Sequence, residues 1–278
     1  MKIKGLIIGL MICSLCSAQK TAAGLPAMLQ APNGKKVRVF VQEVDARVLQ
    51  FNAPRSTTIM RAPVAKVEEL NFIVDEDLLE IEGRFGRESG AEARDELESF
   101  LSAYTPYMVI KNNLYPLFFK LIELELLEGN YAQAGVYAAY LLECSAHSDI
   151  QLKGQRYALL SALKAKNFNE AREHLEAADV PVAEQYFQAA HTLHKGEPEA
   201  AMQEVIEIII EHANEVEWLA PTEFLAAEIY LELGMTNSAR QTADQVATMY
   251  EGSEVAWAAS VLEERLYNAL NGMETGGK

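Results

Sequence analysis

The chain has 278 residues, half of them apolar, and a formal charge of −16. That length suits one large domain or two smaller ones, with enough apolar side chains for a substantial core. The acid excess argues against nucleic acid as a partner and against docking onto anionic lipid, since both need clustered lysine and arginine. Solubility is the simplest role for it.

Residues 1–18 have the pattern of a secretory signal. Lys2 and Lys4 give a positive start, residues 5–15 are apolar, and Cys16, Ser17 and Ala18 end the run, with cleavage expected after Ala18. The apolar run is shorter than the roughly 20 residues of a membrane span. Acylation of Cys16 is the alternative, but Leu15 stands where a lipoprotein signal wants a small residue. Cleavage would leave 22 basic and 40 acidic side chains, a charge of −18, and Cys144 as the one cysteine, so no internal disulfide can form. The expected location is across the inner membrane, in the periplasm, with the exterior as the alternative.

Residues 19–35, rich in Ala, Pro and Gly, are expected to be a linker. Residues 36–74 change character. Val37, Val39 and Val41 alternate with Arg38, Phe40 and Gln42, which is strand periodicity. Turns are expected at Asp45–Ala46 and at residues 52–55, with further strands at 48–51, 56–61 and 70–74. The result is a small antiparallel β module, marginal alone and therefore packed on the helical part of the chain. Its spacing is loosely similar to SH3-like or Sm-like barrels, which bind peptides or nucleic acid. A structural cap or dimerisation edge is weighted above a ligand site.

From Asp75 onward the periodicity is helical. Leu78, Ile81 and Phe85 mark one helix, and Leu97, Phe100 and Leu101 mark a second over residues 91–104. Residues 114–142 are the clearest stretch. An apolar helical run meets Gly129, which can stop it at positive φ, and Asn130 can start the next helix, with Ala134 allowing close approach. Turns recur at 166, 196 and 234, a mean interval of about 35 residues, in the range of repeat arrays.

These residues resemble the tetratricopeptide repeat (TPR), whose period is 34. Gly129-Asn130-Tyr131 with Ala134 matches its turn; Asn167-Phe168 with Ala171, Gly196 with Ala201, and Gly234 with Ala239 match with departures, Lys166 replacing a glycine and Pro198 an aromatic. The resemblance covers residues 75–270 and implies a mainly α fold, a TPR-like helical hairpin array (α-solenoid) preceded by the β module. It also implies a terminal helix over residues 254–270 with a polar outer face at Glu263, Glu264 and Arg265. Residues 271–278 are a tail.

The sequence carries no GxSxG, P-loop, HExxH, GxGxxG or CxxC pattern, so no catalytic residue is assigned. His191 and His194 share a helix face but have no third ligand at suitable spacing, so no metal or cofactor is assigned. Glu123/Glu125 and Glu263/Glu264 read as solvated helix faces. The family resemblance implies that the first helices of each pair line a concave groove holding a partner peptide, and places Phe119, Lys153, Arg156, Tyr186, Phe224 and Glu228 toward it. Lys153 and Arg156 could receive a carboxylate; as simple exposed charges they need no partner. The expectation is a secreted, non-enzymatic scaffold in cell-envelope assembly or trafficking. The alternatives are a glycan- or peptide-binding β module, a self-associating homo-oligomer, and an enzyme with its site between module and array.

Overall fold

The computed structural model describes residues 24–45, 47–74, 81, 91–143, 148–178, 180–251 and 253–275. The expected signal, the helix centred on Ile81 apart from Ile81 itself, and Cys144 lie outside them. The described chain is a five-stranded antiparallel sheet followed by ten helices arranged as a hairpin array.

The strands are β1 (Leu25–Gln30), β2 (Lys36–Val44), β3 (Val48–Asn52), β4 (Ile59–Pro63) and β5 (Glu69–Phe72). Their order is β4-β3-β2-β1-β5. β1 corrects the expected linker over residues 19–35. Leu25, Ala27 and Leu29 alternate inward, but Pro26 and the alanines hide the pattern. Pro26 is tolerated because the register turns its nitrogen to the β5 side, where β5 has already ended at Phe72. The insertion of β1 also makes β5 pair back to β1 rather than continue a meander.

One sheet face carries Ala27, Val39, Leu49, Leu70 and Phe72, all buried in one core with the first helices. Phe72 meets Tyr104 and Tyr107 edge-on at 4.9 and 5.6 Å. The β module is thus packed on the array, as its small size requires.

The helices are α1 (Ala91–Leu101), α2 (Tyr115–Leu127), α3 (Tyr131–Leu142), α4 (Ser148–Lys164), α5 (Phe168–Ala178), α6 (Pro181–His194), α7 (Pro198–Glu211), α8 (Val216–Glu232), α9 (Thr236–Met249) and α10 (Glu254–Thr275). A short 3₁₀ turn, Thr105–Val109, follows α1. α4 begins at Ser148, eighteen residues before the turn at Lys166, and α10 runs past the expected end at Leu270.

Each hairpin turn repeats one chemistry. Gly129, Lys166, Gly196 and Gly234 all have positive φ, between 58° and 81°. The next N–H reaches five residues back in every case, Asn130 to Glu125, Asn167 to Ala162, Glu197 to Thr192 and Met235 to Tyr230. This is a Schellman ending, which satisfies carbonyls left over by the helix. Five residues beyond each turn, Ala134, Ala171, Ala201 and Ala239 are each 0 % exposed. A methyl group there lets the second helix lie close against its neighbours.

Candidate functional site

The first helix of each hairpin lies on the inside of the array. α4 meets α6, α6 meets α8, and α8 meets α10, whereas α3, α5, α7 and α9 pack behind them. α2 meets α4 through Phe119 and Tyr157, whose rings are 6.1 Å apart. α10 comes back against α2, and its Trp257 packs on the core containing Tyr115 and Phe118. The five inner helices therefore form a closed ring. The expected end-cap with a polar outer face is corrected in part: Arg265 faces the ring interior, and Glu263 is tied to Arg240 of α9 at 3.0 Å. The reason is the partner surface that α2 offers, which an open end would lack.

A cleft of about 620 Å³ remains between α4, α6, α8 and α10. Helical spacing builds each wall: Tyr186 and Ala190 on α6, Phe224 and Glu228 on α8, Val261 and Arg265 on α10, all four residues apart. At its α4 side Lys164 donates to Glu228 Oε1 at 2.8 Å, and its Nζ lies 5.2 Å from the Phe224 ring centroid. Burial pulls the Lys164 pKa down, but Glu228, through its charge and its hydrogen bond and with smaller help from Tyr186, overrides this and holds the ammonium above its ordinary value.

The six residues assigned to a groove separate. Tyr186, Phe224 and Glu228 line the cleft. Phe119 is stacked on Tyr115 at 5.9 Å at the α2–α4 junction, with Lys153 Nζ 4.9 Å over its ring. Arg156 lies 4.9 Å over Tyr157 and donates to the Glu217 carbonyl at 3.1 Å. It borders a smaller hollow of about 260 Å³ with Glu215 and Trp218. These three do not face the cleft.

Lys164, His194, Glu232, Val261 and Arg265 are among the cleft residues that sequence reading missed. A signal existed for the first three. Lys164, His194 and Glu232 each stand two residues before a turn, and all three line the cleft. Tyr186 and Phe224, ten residues before their turns, line the cleft, whereas Phe119 and Arg156, at the same distance from theirs, do not.

His191 and His194 are engaged by an aromatic side chain. Both rings lie 4.7 Å from the Phe168 ring. Burial, then Lys195, Arg172 and His194, lower the His191 pKa. Among the described residues no group of three or more His, Cys, Asp or Glu could hold a metal. No helix among them is long and apolar enough to cross a membrane.

The chain matches no family model, no curated protein and no solved structure.

Proposed function

We propose that this chain is a non-enzymatic interaction scaffold, a tetratricopeptide-like array that holds an extended segment of a partner protein in the cleft between α4, α6, α8 and α10. The observation that carries this reading is the cleft itself. Its volume of about 620 Å³ falls in the range of ligand sites. Its walls are apolar at Phe224, Leu231 and Val261, with charged groups at Lys164, Glu228 and Arg265 that can fix a main chain or an ionic side chain. The repeat-like turns and buried alanines support the family likeness. The signal-like residues 1–18 support export, and so a role in envelope assembly or trafficking.

Val261 is 58 % exposed and borders the cleft, so a photo-crosslinking residue there need not disturb packing. Met249 of α9, also exposed, serves as a control on an outer helix. The proposal expects a defined protein adduct from position 261 that is absent from position 249 and lost with Arg265→Glu. Identical adducts from both positions, or none from 261, would overturn it.

A further inference from the structure

The two edges of the sheet are treated differently. β5 pairs with β1 so that Leu70 and Phe72 turn their main-chain groups outward; the Ile73 N–H to Pro26 bond at 2.8 Å sets that parity. These outward groups are occupied. Leu70 N–H donates to the Lys111 carbonyl at 2.8 Å. Phe72 N–H donates to Asn113 Oδ1 at 2.8 Å, and Asn113 Nδ2 donates back to the Phe72 carbonyl at 3.0 Å. Asn113 thus acts as a short mimic of a neighbouring strand.

The β4 edge has no such cover. Val64 N–H donates to the Arg47 carbonyl at 2.8 Å, and the pairing continues as Leu49 with Ala62 and Phe51 with Met60. Ala62 and Met60 therefore face β3, while the N–H and C=O of Ile59 and Arg61 point away from the sheet. No strand of the described residues pairs with them. Ile59 is 56 % and Met60 38 % exposed.

Charge selects what can fill this edge. From residue 46 to residue 67 the chain carries Arg47, Arg55, Arg61 and Lys66 and no carboxylate, in a protein whose overall charge is −16. A second copy is a poor occupant. Two-fold pairing about the centre of β4 would set Arg61 against Arg61 and Ile59 against Pro63, which has no N–H to give. An extended acidic peptide meets neither objection. Its main chain would take the outward groups of Ile59 and Arg61, and alternate acidic side chains would lie on the Arg61 face. We infer that β4 is a docking edge for an acidic peptide segment, which adds to the sheet as a sixth strand.

The test uses the full chain and a fluorescein-labelled octapeptide of alternating glutamate and threonine, with the lysine–threonine peptide as control. Binding is read by anisotropy and by hydrogen exchange at Ile59 and Arg61. Ile59→Pro removes an outward N–H and no charge, at a strand start where proline is tolerated. Arg61→Glu reverses the charge and keeps every N–H. Circular dichroism checks that both variants stay folded. The expected result is saturable binding of the acidic peptide alone, slowed exchange at Ile59 and Arg61, and at least tenfold weaker binding in each variant. Wild-type affinity in Ile59→Pro would show ionic attraction without strand addition and overturn the proposal. So would no binding of the acidic peptide, or slowed exchange without peptide accompanied by dimerisation.

Discussion

Lys164 Nζ and Glu228 Oε1 are 2.8 Å apart, joining two inner helices separated by 64 residues of chain. Both side chains are about one-third exposed, so water screens the pair and its worth lies between that of a surface and a buried bridge. Lys164→Met and Glu228→Gln should each cost on the order of 1 kcal/mol in urea unfolding, with a coupling energy of similar size in the double-mutant cycle. The sign with pH follows from the raised Lys164 pKa. The contribution is complete below the ordinary lysine range and is lost only as pH rises through the higher folded-state value. Additive single mutants would mean that the contact contributes nothing.

Lys166 adopts φ 58° where the three corresponding turns use glycine. A side chain in that region costs about 1–2 kcal/mol relative to glycine. Lys166→Gly should therefore stabilise the chain by about 1 kcal/mol, read as a higher urea midpoint. At Gly129 and Gly234 a Cβ would meet nothing within 4 Å, so Gly→Ala there should destabilise through backbone strain alone. A neutral effect at all three turns would remove positive φ as the feature that sets their sequences.

The turn chemistry was legible from local sequence. A glycine followed five residues later by a small residue is a local signal, and it located the turns at 129, 166, 196 and 234 without tertiary information, with Lys166 standing in for the glycine at one of them. β1 was not legible because its alternation is carried by alanine and flanked by proline, and only pairing on both sides makes it a strand. The ring was hidden for another reason. Trp257 reaching the core of α2 is a contact across the whole array, and repeat periodicity describes neighbours only. Three of the six expected groove residues, Phe119, Lys153 and Arg156, accordingly lie on inner helices but outside the cleft.

Glu125, expected on a solvated helix face, is instead 3 % exposed and accepts from Asn130 Nδ2 at 2.8 Å. Burial raises its pKa, with Asn130 and Arg94 opposing. A carboxyl with a raised folded-state pKa binds more protons folded than unfolded, so stability falls as pH rises from about 4 through the shifted value. Glu125→Gln keeps an acceptor for Asn130 and removes the buried charge. Its unfolding midpoint should exceed wild type at pH 7 and converge with it near pH 4. A constant difference across that range would assign the effect to packing instead of titration.

Gly154 lies inside α4, where helix propensity alone predicts that alanine would stabilise by about 1 kcal/mol. Packing predicts the opposite. A Cβ at 154 would sit 2.8 Å from Leu141 Cβ and 3.3 Å from the Ala138 carbonyl, both on α3. Neither atom can move without shifting the α3–α4 interface, and overpacking of this kind costs about 1–3 kcal/mol. Gly154→Ala should therefore lower the urea midpoint, while Gly135→Ala, whose added methyl would have 3.9 Å of room to Ser161, should raise it. Two substitutions of identical chemistry on facing helices then differ in sign, and a shared sign would mean that α3 and α4 lie farther apart than these distances require.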